Sequence, residues 1–522
     1  MPFYLGLDAS TQSLTALVIE IAGDRRRIVF ESSLNFDEAL PAYGTRHGVL
    51  PASDPSVATS SPLMWAAALD RMMGVVAAGV EVRQIAAISG SAQQHGSVYL
   101  SQQGSRVLAS LDPTRPLAEQ LSRSFSREAS PIWMDSSTAA ECAEITSAIG
   151  DAAMAARTGS RAFERFTGPQ IRRFFKDSPV AYAATARIDL VSSFHASLLI
   201  GGHAAVDPGD ASGMNLMDLR ANRWWPDALD ATAPGLGAKL PPIVASSSVA
   251  GTLAPYWQRR HGFPPAAVIT WSGDNPSSLI GLGLVREGPL AISLGTSDTV
   301  FGLMNVPRVD PTATGHVFGA PTGAFMGLTC FRNGSLARER IRDEHGLSWS
   351  GFSRALDQTP VGNDGGLMLP WFGPEITPRV LEPGVRRLDL PSGDAARNVR
   401  AVVEAQCMSM AIHSRWMGVA AAVIYATGGA SGNAQILQVI ADVFGADVCR
   451  QPVANSAALG AALRAAHAAL NAAGPAAEWE AVIADFSDGS ARARLHPRRD
   501  HHAIYRELIP RYAAFEAAAI TP

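Results

Sequence analysis

The same order of apolar and polar residues occurs at two distant places in the chain. In Tyr4–Ile19, two apolar, β-prone runs flank a turn of small and hydroxyl residues at Asp8–Ser13. In Leu290–Phe301, two similar runs flank the turn Ser293–Asp298. Two β-prone runs around a short polar turn are typical of a β-hairpin. The sequence therefore predicts one hairpin in each half of the chain.

Helical and strand-like patterns alternate in the rest of the chain. Apolar spacing typical of a helix covers Pro62–Val80, and a buried strand is predicted after it at Arg83–Ile88. In the second half, a helix is predicted over Arg400–Met417, a strand over Val423–Ala426 and another helix over Ala434–Phe444. Helices that alternate with short buried strands indicate an α/β fold.

Length and composition narrow the class of protein. The 522 residues are 47% hydrophobic and 17% charged, which provides enough apolar mass for large cores and too few charges for a disordered chain. A glycine-rich stretch at Gly281–Gly288 precedes the second hairpin, and we place a domain boundary there. Length alone predicts two to four domains of about 100–200 residues, and a boundary at this stretch divides the chain into residues 1–284 and 285–522.

The charged residues exclude two classes of protein. The formal net charge of −4 argues against a general nucleic-acid-binding protein, which needs a strongly cationic surface. The chain has only two lysines, Lys176 and Lys239, and neither lies in the frame G-x-x-x-x-G-K-[ST] of a P-loop. Any nucleoside triphosphate must therefore be bound without a Walker lysine.

Cysteine spacing and apolar runs indicate a reduced, non-membrane environment. The four cysteines have no C-x-x-C spacing, which argues against a zinc site or a disulfide framework. The start of the chain lacks a basic segment followed by an apolar run, and the longest apolar stretch, Met417–Ala426, is too short to span a bilayer. We expect a cytoplasmic protein, without nucleic-acid or membrane partners, that acts as a monomer or homodimer.

The two hairpins are candidates for binding phosphate. Asp8, at the end of a strand, could hold Mg²⁺ through water, because Mg²⁺ prefers oxygen ligands and keeps part of its hydration shell. The backbone N–H groups of the turn could bind phosphate oxygens. An ordinary hairpin is the alternative, but two such turns would allow a polyphosphate to be held from both sides. Glycines at Ala426–Ser431 would let a nucleoside approach the backbone, unless they form only a tight strand–helix turn.

Other polar residues are candidates for catalysis and substrate binding. Asp274 follows the β-prone run Ala267–Trp271 and could act as a general base toward a hydroxyl, with a helix cap as the alternative. His95 lies among amides in a loop where a hydroxyl-rich ligand could bind, although a structural histidine is the alternative. Aromatic and charged residues occur together at Trp133–Ser137 and Ser160–Gly168, a combination that suits a polyol or a solvated loop with ion pairs.

Together these stretches resemble the FGGY family of carbohydrate kinases. The resemblance covers nearly the whole chain in order, and its motifs are Asp8–Ser13, Gln94–Gly96, Gly273–Asn275, Ser293–Ser297 and Thr427–Ala430. It implies an α/β fold of two actin-like (ribonuclease H-like) domains around a central cleft, with the sugar bound by residues 1–284 and the nucleotide by residues 285–522. Within the family, the animal xylulose kinases are most similar at Pro131–Thr138, Thr158–Gly168 and Gly213–Leu216.

The resemblance also implies roles for individual residues. Asp274 would be the catalytic base, and Asp8 would help to hold Mg²⁺. The sugar would be contacted by His95, Trp133, Arg165, Asp274 and Asn275. The phosphates would lie by Ser10, Thr11, Gln12, Gly295 and Thr296, and the nucleoside by Trp349, Gly428, Gly429 and Asn433. Many bacterial xylulose kinases carry Met-His where this chain has Gln94-His95, which places the chain nearer to the animal type.

The activity that the resemblance implies is ATP-dependent phosphorylation of D-xylulose to D-xylulose 5-phosphate, with ATP and Mg²⁺ as cofactors. A kinase for another ketose or polyol, such as ribulose, gluconate or glycerol, is an alternative. A non-catalytic nucleotide switch is a second alternative, since the actin-like fold also serves filaments and chaperones. The residues on the sugar side favour an enzyme, because a switch has no use for them.

Overall fold

The computed structural model of the chain describes residues 2–23, 25–451, 455–487 and 494–520. Contacts divide the chain into two units. The first unit comprises Met1–Val285, Val317–Phe325 and Ala454–Asp488, and the second comprises Arg286–His316, Met326–Val453 and Gly489–Pro522. Two later segments of the chain thus belong to the first unit. The division into domains at residues 284 and 285 stays a prediction.

The first predicted hairpin forms the middle of a seven-stranded mixed sheet in the first unit. Its strands are β1 (Phe3–Ala9), β2 (Ser13–Ala22), β3 (Arg25–Asn35), β4 (Ile85–Ala92), β5 (Val249–Thr252), β6 (Ala267–Ile269) and β7 (Ser272–Gly273). Their order is β5-β6-β4-β1-β2-β3, and β7 also pairs with β4. β1 is antiparallel to β2, whereas β4 is parallel to β1, β6 and β7. The ends of β1, β4 and β7 therefore lie at the same edge of the sheet.

The strand predicted at Arg83–Ile88 differs from β4 at both ends. Residues 82–84 form a 3₁₀ turn, and the strand continues past Ile88 through Ser89 and Gly90. The strand has a glycine at position 90, where the indole of Trp271 occupies the space that a side chain would need. A Cβ atom at Gly90 would lie 2.1 Å from that ring.

Helices and smaller sheets complete the first unit. The helix predicted at Pro62–Val80 is confirmed as α1 (Pro62–Gly79), which begins where Ser61 accepts a hydrogen bond from the backbone of Met64. A second helix, α2 (Asp274–Gly281), begins directly after β7. Other helices are Gln102–Leu108, Ala139–Ile149, Asp151–Thr158, Thr167–Asp177, Val191–Ile200, Pro226–Thr232 and Pro255–His261. Short strands pair in small sheets: Thr59–Ser60 with Ser130–Pro131, Met217–Asp218 with Arg223–Trp224, and Ser97–Ser101 with Phe125–Arg127 and Thr185–Leu190.

The second predicted hairpin lies within the sheet of the second unit. Six strands of this sheet are β8 (Leu290–Leu294), β9 (Asp298–Met304), β10 (Phe325–Phe331), β11 (Val423–Thr427), β12 (Asp447–Arg450) and β13 (Arg494–Leu495), in the order β10-β9-β8-β11-β12-β13. The main helices are α3 (Ser335–Glu344), α4 (Trp349–Gln358), α5 (Ala395–His413) and α6 (Ala434–Phe444). The predicted helix over 434–444 is confirmed, whereas α5 ends before Met417, which belongs to a 3₁₀ turn.

A helix from the C-terminal part of the sequence packs in the first unit. This helix, α7 (Ser456–Ala473), lies against β1, β4 and α2. The backbone of α7 lies very close to the backbones of β1 and α2, because glycines occupy the positions where these elements cross. A Cβ atom at Gly460 would lie 1.9 Å from the carbonyl oxygen of Ser277 in α2, and one at Gly6 would lie 2.1 Å from that of Ala458. Side chains at these positions would push β1 and α2 away from α7.

The last helix, α8 (Arg499–Ile520), belongs to the second unit, where Tyr505 accepts a hydrogen bond from the guanidinium of Arg400 in α5. Searching the described ranges, we find no helix long and apolar enough to cross a membrane.

The contact between α7 and α2 predicts a large effect of a single methyl group. Gly460→Ala should lower the midpoint of thermal unfolding by a few degrees, because overpacking costs about 1–3 kcal/mol, and about 1 kcal/mol shifts the midpoint by about 1–2 °C in a unit as large as the first. Gly202→Ala is the matched control, since a Cβ atom there would meet no described atom within 4 Å. Equal unfolding midpoints for the two variants would contradict the close packing.

Candidate active site

Asp8 is a buried carboxylate at the end of β1. Its Oδ2 accepts a hydrogen bond from Ser10 Oγ at 2.5 Å, and its Oδ1 accepts one from Ser91 Oγ at 2.7 Å. Burial raises the pKa of Asp8, and the two hydroxyl donors oppose this shift. None of the ion pairs in the described part of the chain involves Asp8. A carboxylate in this setting is suited to a nearby cation.

The donor set around Asp8 fits a hydrated Mg²⁺ ion. Among the residues that the structure describes, no group of three or more His, Cys, Asp or Glu side chains is placed to hold a metal. Mg²⁺ usually keeps several waters and takes one or two protein carboxylates together with phosphate oxygens. A single carboxylate flanked by the hydroxyl of Ser10 is compatible with that kind of site.

The turn after β1 brings a predicted phosphate contact and a predicted sugar contact together. The backbone N–H of Ser10 donates to the carbonyl oxygen of Ser13 at 2.9 Å, which closes the hairpin. Thr11 Oγ1 accepts a hydrogen bond from Trp133 Nε1 at 2.8 Å, and Trp133 as a residue is 42% exposed. Gln12 is exposed at the tip of the turn. The indole thus lies beside the hairpin with its ring available to a ligand.

Asp274 lies at the same edge of the sheet as Asp8. Both β1 and β7 pair with the end of β4, where Ser91 is the partner of Asp8. Neighbouring strands are about 4.8 Å apart, so the backbones at Asp8 and Asp274 are separated by roughly 10 Å. Burial and the negative charge of Asp8 raise the pKa of Asp274 to about 7, and backbone N–H donors of Asn275 and Gln94 oppose this shift. Such a carboxylate can exchange a proton near neutral pH.

His95 is a neutral hydrogen-bond acceptor in the loop after β4. Its φ of 72° places the backbone in the left-handed region, and its Nδ1 lies 2.8 Å from the carbonyl oxygen of Gly213. A carbonyl only accepts, so Nδ1 carries the hydrogen. Burial and the charge of Arg165 lower the pKa of His95 to about 3, so Nε2 keeps its lone pair. The ring of Phe166, 4.4 Å away between centroids, packs on the imidazole.

Asn275 and Arg165 complete the predicted sugar side. Asn275 Nδ2 donates to Asp274 Oδ1 and to Gln94 Oε1, each at 3.0 Å. The guanidinium of Arg165 lies 6.0 Å from the ring centroid of Phe166, beside His95. The structure therefore brings Asp274, Asn275 and Gln94 together, and separately His95 and Arg165. Gln94 is connected to both groups, because it precedes His95 in the chain.

A buried arginine of α7, Arg464, hydrogen-bonds to the backbone near the edge of the sheet that carries Asp8 and Asp274. Arg464 Nη2 donates to the carbonyl oxygen of Thr270 at 2.6 Å, and Nη1 donates to that of Gly90 at 3.1 Å. Its guanidinium also lies 4.0 Å from the carboxylate of Asp207. These carbonyls belong to the segments that lead into Asp274 and to β4. Sequence reasoning missed Arg464, because an arginine within an alanine-rich helix carries no local sign of its partners.

In the second unit, a buried ion pair holds the second hairpin. Asp298, the first residue of β9, accepts hydrogen bonds from Nη1 and Nη2 of Arg338 in α3 at 2.8 and 3.0 Å. The backbone N–H of Ser335 donates to the carbonyl oxygen of Gly295 at 2.8 Å. The turn is thereby fixed against the start of α3. Thr296 is exposed at its tip, and Gly295 is half-buried. The turn was predicted from the sequence, but Arg338, the ion-pair partner of Asp298, was not.

The residues predicted for the nucleoside lie close together in the second unit. Gly428 has a φ of +84°, and a Cβ atom there would lie 2.6 Å from the carbonyl oxygen of Leu294, next to the second hairpin. Gly429, which begins the following 3₁₀ turn, faces open space among the described atoms. Asn433 caps α6 through Oδ1 and donates from Nδ2 to Ser353 Oγ at 2.8 Å. This bond ties the glycine turn to α4.

Trp349 is the first residue of α4 and is 45% exposed. Its ring packs edge-on against Phe352, at 5.4 Å between centroids, and the guanidinium of Arg342 lies 4.5 Å from its centroid. An exposed indole held in this way offers a flat apolar surface of the kind that suits a nucleobase.

The chain matches two family models and full-length relatives. The N-terminal domain of the FGGY family of carbohydrate kinases matches residues 128–281, and the C-terminal domain of that family matches residues 290–469. A protein named xylulose kinase from Mus musculus is 42% identical, over 98% of this chain and 93% of its own length. A protein named xylulose kinase 2 from Arabidopsis thaliana is 43% identical, over 89% of this chain and 87% of its own.

Solved structures show the same fold. A structure described as a xyloylose kinase from Brucella ovis superposes with a TM-score of 0.81, covers 99% of both chains and is 22% identical. The α/β fold of the actin-like sugar kinases, predicted from the sequence, is thereby confirmed. Because the family models together match more than half of the chain and the relatives match nearly all of it, the chain belongs to the FGGY family of carbohydrate kinases and is an ATP-dependent carbohydrate kinase.

Proposed function

We propose that the chain transfers the γ-phosphoryl group of ATP to the terminal hydroxyl of D-xylulose and releases D-xylulose 5-phosphate and ADP. The observation that carries this proposal is the setting of Asp274, a carboxylate with a pKa of about 7 beside the polar side chains of Asn275 and Gln94. The names of the mouse and Arabidopsis relatives support D-xylulose as the acceptor.

Asp274 is the general base in this proposal. As the hydroxyl oxygen forms its bond to the γ-phosphorus, its proton passes to the Asp274 carboxylate, and the bond from phosphorus to the β,γ-bridging oxygen of ADP breaks. A base is most effective when its pKa is near the working pH, because it is then both ionised and basic. The raised pKa of Asp274 meets this condition, whereas an ordinary aspartate would be a weaker base.

The sugar is bound by groups with defined donor and acceptor roles. Nε2 of His95 accepts a hydrogen bond from a sugar hydroxyl, because its ring is neutral and Nδ1 already donates to Gly213. The guanidinium of Arg165 donates to sugar oxygens, and Asn275 offers its amide oxygen. Trp133 covers the C–H face of the sugar with its exposed ring. This mixture of apolar surface and fixed polar groups is typical of small-molecule sites.

The nucleotide is bound mainly by the second unit. Gly295 and Thr296 lie by the phosphates, and Trp349, Gly428, Gly429 and Asn433 lie by the nucleoside. In the first unit, Ser10, Thr11 and Gln12 contribute the other phosphate-binding turn. Asp8 would hold Mg²⁺, and the ion would neutralise negative charge on the phosphate oxygens. The hydroxyl of Ser10 keeps the Asp8 carboxylate oriented.

Membership of the kinase family removes support for a non-catalytic nucleotide switch. Kinases for ribulose, gluconate or glycerol remain the competing specificities. A cytoplasmic location and a monomeric or homodimeric state remain predictions.

A panel of acceptors tests the substrate. With ATP and Mg²⁺, D-xylulose should give the highest kcat/KM in a coupled ADP-release assay, because the relatives that match the whole chain carry that name. The panel should include D-ribulose, gluconate and glycerol at equal concentrations. If another acceptor is turned over efficiently and D-xylulose is silent, the assignment of D-xylulose is wrong.

Substitution of the proposed base tests the mechanism. Asp274→Asn keeps the shape of the side chain but cannot accept the proton, so kcat/KM should fall by about 10²–10⁴-fold. ATP binding, followed by calorimetry, should change little. Asp177→Asn is the control, because that carboxylate is 62% exposed in a surface ion pair of the same unit. Near-normal turnover by Asp274→Asn would remove the residue from the proposed role.

The pH dependence of activity follows from the raised pKa. Asp274 accepts a proton only when ionised, so kcat/KM for the sugar should be full above pH 7 and decline as the pH falls through about 7. The decline should approach a factor of about ten per pH unit. Steady-state kinetics over a pH series measures this limb. An acidic limb near the ordinary value of 3.8 would show that the environment does not raise the pKa of the base.

A further inference from the structure

Gln94 links a backbone carbonyl to the proposed base through two amide side chains. Its Nε2 donates to the carbonyl oxygen of Gly209 at 3.2 Å, and its Oε1 accepts from Asn275 Nδ2 at 3.0 Å. Asn275 Nδ2 donates in turn to Asp274 Oδ1 at 3.0 Å. The side chain of Gln94 is buried, with 3% exposed. These groups form one continuous hydrogen-bonded chain from Gly209 to Asp274.

The direction of each amide in this chain is determined by its neighbour. An amide side chain has a donor end and an acceptor end, and a carbonyl oxygen can only accept. Gly209 therefore takes the Nε2 end of Gln94, which turns Oε1 toward Asn275. An oxygen at that position can only be met by the Nδ2 end of Asn275. The amide oxygen of Asn275 consequently faces away from Gln94 and Asp274.

The side chain of Gln94 also packs closely against the residue that precedes Asp274. A Cβ atom at Gly273, the residue before Asp274, would lie 2.4 Å from Cγ of Gln94. The backbone N–H of Gln94 also opposes the rise in the pKa of Asp274. Gln94 thus contacts the start of α2 through its side-chain amide and its methylene groups.

We propose that Gln94 is a positioning residue, which fixes the amide of Asn275 so that its oxygen accepts a hydroxyl hydrogen bond from the sugar and its nitrogen orients Asp274. The proposal rests on the proposed function of this same site. A residue that orients both a sugar contact and the base affects binding and turnover together. By fixing the amide oxygen of Asn275, Gln94 also favours sugars that have a hydroxyl group opposite Asn275.

Gln94→Met tests the proposal, because Met retains the methylene stem but neither accepts from Asn275 nor donates to Gly209. We expect kcat/KM for the sugar to fall by about 10- to 100-fold, as expected when a buried hydrogen-bonding group loses its partner. The KM for the sugar should rise and kcat should fall, while the KM for ATP is unchanged. Gln258→Met is the matched control, since Gln258 Nε2 also donates to a backbone carbonyl, that of Leu253 at 2.7 Å.

A double-mutant cycle separates positioning from a direct role. If Gln94 acts through Asn275, then Gln94→Met should lower kcat/KM by less than about threefold in an Asn275→Ala background, because the two effects are coupled. If the fold-losses in kcat/KM of the two single variants instead multiply in the double variant, Gln94 acts independently of Asn275, and the proposal is overturned.

A conservative variant covers the case in which Gln94→Met does not fold, as judged by its thermal unfolding. Gln94→Glu keeps an acceptor oxygen toward Asn275 and loses the donor toward Gly209. Its kcat/KM should be lower than that of the wild type and, where both fold, higher than that of Gln94→Met. Activity equal to the wild type would overturn the proposal. All assays use the sugar that the wild-type enzyme phosphorylates fastest. If that sugar is not D-xylulose, the substrate assignment fails, but the double-mutant cycle still tests the role of Gln94.

Discussion

Close backbone packing of α7 against β1 and α2 is the contact on which the rest of the first unit's site depends. Glycines at the crossing points allow the three elements to approach until main-chain atoms touch. Asp8 lies two residues after the glycine of β1, and Asp274 is the first residue of α2. The same helix supplies Arg464, which binds carbonyls of the segments beside both carboxylates. One helix from a distant part of the sequence therefore sets the separation and direction of the two acids.

The two units use buried carboxylates in opposite ways. In the second unit, Asp298 is matched by both amino groups of Arg338, so its role is to hold a turn in place. In the first unit, the hydrogen-bond donors to Asp8 among the described residues are two hydroxyls, and the charge of Asp8 adds to burial in raising the pKa of Asp274. A buried carboxylate without a cationic partner lowers the stability of the fold, and such carboxylates are common at catalytic sites. Under the proposed function, this edge would trade stability for the roles of Asp8 and Asp274.

Local patterns made part of this architecture predictable, and long-range contacts account for the rest. Both hairpins and α1 were predictable, because their apolar spacing and turn residues are local signals. Asp274 was predictable as a residue that follows a strand and begins a helix. The strand through Gly90 was not, since it depends on the ring of Trp271 packing on that glycine. Arg464 and the role of Gln94 depend on partners far away in the sequence, where spacing carries no information. The individual roles of the site residues remain predictions.

The proposed function depends on a raised pKa of Asp274 at the edge formed by β1, β4 and α2. Infrared difference spectroscopy of the wild type against Asp274→Asn, over a pH series, detects the carboxyl band of that one residue directly. We expect the protonated form to disappear near pH 7 in the wild type, and at a lower pH in Asp8→Asn, where the negative charge is removed. A wild-type band that titrates near 3.8, unaffected by Asp8→Asn, would show that neither burial nor Asp8 raises the pKa of Asp274.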